Sequence, residues 1–102
     1  MLKQIANIEI NVNDEGYLTD FSQWNKDVAM EIAKEEGVEL TDEHWKVIDY
    51  IQEQYRNEVP LSIRKVGKSG VVSIKDFYRL FPDGPLKKAT KIAGVPKPVS
   101  CI

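Results

Sequence analysis

Glycine and proline are spaced along this chain so that no regular element can run far without meeting one, and this limits the fold more than any other feature. Glycine reaches left-handed backbone conformations without steric cost, and proline cannot continue a helix beyond its first turn. Between these stops, apolar residues recur at helical spacing. Trp24, Val28, Ala29, Ile32 and Ala33 form one stripe, predicting an amphipathic helix from about Phe21 to Glu36 with Gly37 as its left-handed cap. Trp45, Ile48, Ile51 and Tyr55 form a second stripe over residues 42–57, ahead of Pro60. Thr41 is its N-cap, and Asp42 and Glu43 complement the positive helix end. "PLSIRKVGKSGVVS" allows one or two helical turns around Ser62 to Val66 before Gly67 and Gly70 break them. Ser73 with Asp76 opens a helix in "IKDFYRLF" that Pro82 ends, and Pro85 starts another, "PLKKATKIA", closed by Gly94. Near the start, "IANIEINV" alternates imperfectly and "NDEG" supplies turn chemistry, predicting a β-hairpin over residues 4–19. The fold class is mainly α, in the α+β sense: a small helical bundle with an N-terminal hairpin.

Beyond Gly94 the chain reads "VPKPVSCI", with two prolines in four residues, so neither a helix nor a central strand is available. Pro96 and Pro98 bias this stretch toward polyproline II, which reaches up to roughly 25 Å over eight residues. The chain thus divides into a helical domain, residues 1–94, and an extended arm, residues 95–102, that carries the only cysteine, Cys101. A thiolate is the reactive form of cysteine, and a nearby cation or helix N-terminus favours it. Cys101 has neither beside it in sequence: its nearest fixed charge is the terminal carboxylate of Ile102, and its nearest cation is Lys97. The arm therefore suits a thiol activated by a partner protein rather than a self-sufficient catalyst. His44, at the start of a helix, reads as a capping or surface residue and not as the missing base.

At 102 residues, with 42% hydrophobic and 29% charged, the chain is sized for a single soluble domain. It has no apolar run long enough to span a bilayer, so membrane insertion is not expected, and no secretory h-region, which points to the cytoplasm. One histidine and one cysteine without ligand spacing argue against a zinc site, and no cofactor is expected. Charge is divided along the chain. Residues 1–59 carry 5 Lys+Arg against 14 Asp+Glu, a net of −9, and residues 60–102 carry 9 against 2, a net of +7. The asymmetry can join the two halves, solvate helix faces, or offer the basic half to an acidic partner or to RNA. Lys87, Lys88, Lys91 and Lys97 flank the base of the arm as docking candidates, with simple solvation of the helix as the alternative. Trp24 and Trp45 read as core residues.

The stretch "YRLFPDGPLKKATKIAGVPKPVSCI", Tyr78 to Ile102, closely resembles the C-terminal signature of the DsrC/TusE family of sulfur-carrier proteins. The matching positions are Arg79, Leu80, Phe81, Pro82, Gly84, Pro85, Lys87, Ala89, Thr90, Lys91, Ala93, Gly94, Val95, Pro96, Lys97, Pro98 and Cys101. A looser resemblance runs through "DEGYLTDFSQWN" and "LTDEHWKVIDYI", while residues 57–77 are shorter than the family's middle and only loosely like it. The resemblance implies a small helical fold with an N-terminal hairpin and a mobile C-terminal arm, on which Cys101 would accept sulfur as a persulfide and pass it on. It also implies a sulfurtransferase-type carrier that depends on partner enzymes: a sulfur-donor protein complex and a tRNA-thiolating acceptor, with at most weak or indirect contact to tRNA itself.

One position divides the family. Members associated with dissimilatory sulfite reductase, as its gamma subunit, carry a second arm cysteine eleven residues before the first, where this chain has Thr90. Threonine forms no disulfide, so the resemblance favours the relay that serves 2-thiouridine formation at the tRNA wobble position. A sulfite-reductase or sulfur-oxidation role is the alternative within the family. Two readings of other classes stand beside it. Arg64, Lys65, Lys68, Lys75 and Arg79 on a short helix, glycine turn and second helix would suit a helix-turn-helix protein that binds nucleic acid. A purely structural interaction module would give Cys101 no role.

Overall fold

The computed structural model describes residues 2–96, which form a two-stranded antiparallel hairpin and five α-helices. Strands β1 (Leu2–Ile5) and β2 (Ile8–Asn11) pair in register from Leu2 opposite Asn11 to Ile5 opposite Ile8. The turn between them is Ala6–Asn7, both left-handed at φ 53° and 64°, the backbone that matches the twist of flanking strands. The sequence reading placed the turn at "NDEG"; that stretch instead makes a second reversal. There the Asn13 carboxamide accepts from the amides of Glu15 and Tyr17, and Val12 bridges to Leu18. The imperfect alternation has its explanation here. A two-residue turn moves the inward positions from odd numbers in β1 to even ones in β2, so Ile5, Ile10 and Val12 are buried on one face.

Helix α1 (Lys26–Glu35) is shorter than its periodicity suggests, because the Asn25 carboxamide accepts from the Val28 amide at 2.9 Å and caps it there. Phe21–Gln23 is a separate 3₁₀ turn capped by Asp20. Gly37 ends the helix as expected, at φ 73°, with the Val38 amide bonded back to the Ala33 carbonyl. Helix α2 (Asp42–Arg56) buries His44, Val47, Ile48, Ile51 and Gln52. That face is rotated from the predicted stripe, leaving Trp45 half-buried and Tyr55 exposed.

Helices α3 (Ile63–Lys68) and α4 (Ile74–Leu80) are capped by Ser62 and Ser73. Gly67 lies inside α3 rather than breaking it. A Cβ there would fall 2.2 Å from Ile74 Cγ1, so the glycine lets α3 and α4 pack closely. Helix α5 (Pro85–Ile92) begins on Pro85 and lies against α1, α2 and α4. Its Leu86, Ala89 and Ile92 meet the fully buried Phe77 and Phe81, whose rings cross edge to face at 5.8 Å, in one core. Each of the larger side chains contributes about 2–3 kcal/mol by leaving water.

The acidic first half and basic second half touch through Lys91–Glu36 at 3.6 Å and Arg79–Glu43 at 3.0 Å. Arg79 also bonds Asp76, and these two carboxylates, Asp76 first, hold its guanidinium still more firmly protonated. The Arg79 pairs are exposed and add little stability, and the Lys91–Glu36 pair is only half-buried, so apolar packing does more than charge to join the halves.

Candidate functional site

The last carbonyls of an α-helix have no partner within the helix, and a buried helix end must find them one. At the end of α5 two side chains from distant parts of the chain do this. Trp24 donates its indole N–H to the Ile92 carbonyl at 2.8 Å, and Gln52 donates from Nε2 to the Ala93 carbonyl at 2.8 Å. Gly94 then turns the backbone at φ 76°, and the Val95 amide bonds back to the Thr90 carbonyl at 3.2 Å. A Cβ on residue 94 would lie 2.4 Å from Trp24 Cδ1 and 2.8 Å from Cγ, so the indole lies directly against the glycine. Val95, assigned to the arm by sequence, is buried and belongs to the core cluster. The point from which the chain leaves the domain is therefore clamped.

Around this root stand Phe21, stacked at 6.4 Å on Trp24 and edge-on at 5.4 Å to Tyr55, with the Arg56 guanidinium 5.6 Å from the Phe21 ring. Both tryptophans are half-buried at the rim rather than in the core. His44 does the same work for α4 that Gln52 does for α5. Its Nδ1 accepts from the Thr41 amide at 3.1 Å and lies 2.8 Å from the Thr41 hydroxyl. The ring proton therefore belongs on Nε2, which donates to the Leu80 carbonyl at 2.8 Å. The sequence reading of His44 as a capping residue holds, but the ring is buried against Phe81, and with both nitrogens engaged it is not a free base.

The remaining candidates are placed as follows. Lys87 is exposed, and its carbonyl accepts from the Tyr17 hydroxyl at 3.2 Å. Lys91 is paired with Glu36 and packs over Gly16, and Lys88 donates to the Glu36 carbonyl at 3.5 Å. Gly94 is buried at the root, and Pro96 is exposed just beyond it. Lys97, Pro98 and Cys101 lie outside the described residues. Thr90 is fully buried on α5, its hydroxyl donating to the Leu86 carbonyl at 2.7 Å. Among the described residues no cluster of His, Cys, Asp and Glu could hold a metal ion, and no helix is long and apolar enough to cross a membrane.

Sequence reasoning missed Gln52 and the clamp it forms. The available signal was a pair of polar residues, His44 and Gln52, eight apart on an otherwise apolar helix face. Gln52→Leu keeps the volume but strips the Ala93 carbonyl of its donor. It is expected to cost about 1–3 kcal/mol, read as a lower urea midpoint at unchanged slope.

A family model described as "DsrC like protein" matches residues 4–102. Over 103 aligned residues the chain is 45% identical to sulfurtransferase TusE of Salmonella typhimurium, covering 92% of this chain and 94% of that one. Among solved structures it resembles Allochromatium vinosum DsrC, with a TM-score of 0.81 and 35% identity over the whole of both chains. It is also similar to the oxidized gamma-subunit of the dissimilatory sulfite reductase (DsrC) from Archaeoglobus fulgidus, with a TM-score of 0.83 and 31% identity over the whole of both chains. A small helical domain with an N-terminal hairpin is thus the fold this chain shares with the DsrC structures. The chain belongs to the DsrC-like family.

Proposed function

We propose that this protein is a sulfur-relay carrier that accepts sulfur as a persulfide on Cys101 and delivers it to an acceptor enzyme in 2-thiouridine formation at the tRNA wobble position. The observation that carries this reading is its likeness to sulfurtransferase TusE over nearly the full chain. The chemistry needs one thiol. The Cys101 thiolate attacks the outer sulfur of a donor's cysteine persulfide, the donor's S–S bond breaks, and the donor cysteine leaves as a thiolate. Cys101 is left as a persulfide, and no external oxidant or reductant enters the exchange. The donor and acceptor supply the cations that favour the thiolate, since the sequence places none beside it.

Thr90 bears on which relay this is. Its hydroxyl is spent on the Leu86 carbonyl, and with one cysteine in the chain there is no second thiol to close a bridge with Cys101. This favours the tRNA relay over the sulfite-reductase role in whose name the Archaeoglobus fulgidus protein was solved. The partners in this reading are a sulfur-donor complex and a tRNA-thiolating enzyme in the cytoplasm. Lys87, Lys97, Pro96 and Pro98 guide the arm to them, while Lys91 and Gly94 fix its base.

The test is nucleoside analysis of tRNA from cells lacking the gene. Wobble 2-thiouridine is expected to disappear, to return with the wild-type gene, and not to return with Cys101→Ser. Unchanged 2-thiouridine in the deleted strain would defeat the reading.

A further inference from the structure

The basic residues of the second half are not equivalent. Arg79 on α4 is paired with Asp76 and Glu43, and Lys91 on α5 with Glu36. Arg64, Lys65 and Lys68 on α3 are exposed and, among the described residues, have no carboxylate within ion-pair distance; Lys65 donates to the Pro60 carbonyl at 3.1 Å. These three line a single cleft of about 490 Å³ together with Tyr50, Ser62 and Ser69. The hydroxyls of Ser62 and Ser69 already serve the backbone, as acceptor from the Lys65 amide and donor to the Val66 carbonyl, which fixes them at the cleft wall. Asp49 and Glu53 line a neighbouring cleft together with Lys46, which leaves that cleft with a surplus of negative charge and the surplus of positive charge on the α3 side.

We infer that this cleft binds the phosphate backbone of a structured RNA, and that it is the surface by which the carrier touches the tRNA its sulfur is destined for. The inference rests on the relay reading for its choice of nucleic acid. Three unpaired cations within five residues, an arginine among them, beside hydroxyls and an aromatic edge suit phosphodiesters and riboses better than a flat patch of carboxylates. The placement also leaves the arm root clear. Tyr50 and Gln52 are two residues apart on α2, hence roughly 200° around the helix, so RNA in the cleft lies on the side away from the arm root.

The experiment is fluorescence anisotropy with a labelled, unmodified tRNA transcript and the full-length protein. Three phosphate contacts predict that affinity falls about 20- to 40-fold between 50 and 200 mM salt. R64Q/K65Q/K68Q is expected to abolish most of this dependence, and K68Q alone to lower the log–log slope by about one. A charge-matched control, K26Q/K34Q/K75Q, is expected to retain affinity within about threefold, because its lysines lie on α1 and α4 and none lines the α3 cleft. Equal slopes for the cleft variant and the control would overturn the assignment. Tighter cleft-dependent binding of poly-glutamate than of tRNA would make the cleft a protein-docking site, and equally tight binding of duplex DNA would remove the preference for RNA; either result defeats the proposal. Sulfur loading of the cleft variant by a persulfide donor, followed by intact mass, keeps the two readings apart. If wild type fails to load, the relay reading falls; if it loads but tRNA binding ignores the three cations, only the cleft assignment falls.

Discussion

Cys101→Ser is expected to leave the protein unable to acquire sulfur from any donor. Incubated with a cysteine desulfurase, cysteine and pyridoxal phosphate, with or without an intermediate relay protein, the wild-type chain is expected to gain the mass of one sulfur atom, and the variant none. The loss is complete rather than graded, because no other side chain in the sequence can hold sulfane sulfur: there is a single cysteine. Prior alkylation of the wild type must produce the same loss. An unchanged urea midpoint in the variant shows that the defect is chemical and not a failure to fold. The same arithmetic constrains oxidation. A mild thiol oxidant is expected to give disulfide-linked dimers on a non-reducing gel, and no intramolecular loss of two hydrogens. A variant that still loads sulfur would remove Cys101 from the mechanism.

Gly94→Ala is expected to be the most damaging single-atom-scale change in the described fold. Two costs combine: a non-glycine residue held at φ 76°, and a methyl group 2.4 Å from Trp24 Cδ1. Together they amount to about 2–4 kcal/mol, a large share of the stability of a domain this size. Gly37 provides the control. Its φ of 73° is nearly the same, but a Cβ there meets nothing within 4 Å. Gly37→Ala should therefore cost only the backbone strain, about 1–2 kcal/mol. The difference between the two midpoints isolates the contact between Gly94 and the indole. If the two variants unfold alike, the indole gives way freely and the clamp does not hold the root as described.

What could be read from the sequence was whatever depends on neighbours along the chain. The glycine at position 94, the caps Thr41 and Ser73, and the start at Pro85 are local chemistry, and each stands where the sequence places it. The hairpin turn was misplaced because Ala6 carries no turn signal while "NDEG" carries a strong one. The face of α2 was misjudged because His44 and Gln52 are polar, and a polar residue on an apolar stripe reads as surface until the carbonyl it serves is known. Those carbonyls, of Leu80 and Ala93, lie 36 and 41 residues away. The candidate thiol itself was legible at once, being the only one. The three cations of α3 were legible as residues, but that they lack carboxylate partners among the described residues while Arg79 and Lys91 have them is a property of the packed chain alone.

The bonds that seat α5 join residues far apart in sequence: Trp24 to Ile92 spans 68 residues, and Tyr17 to Lys87 spans 70. Closing loops of that length is late work in folding, possible only when both ends of the domain are present. A partly opened chain therefore keeps its cysteine but loses the fixed root of the arm that carries it. Completion of the domain is thus what gives the arm a fixed point of departure.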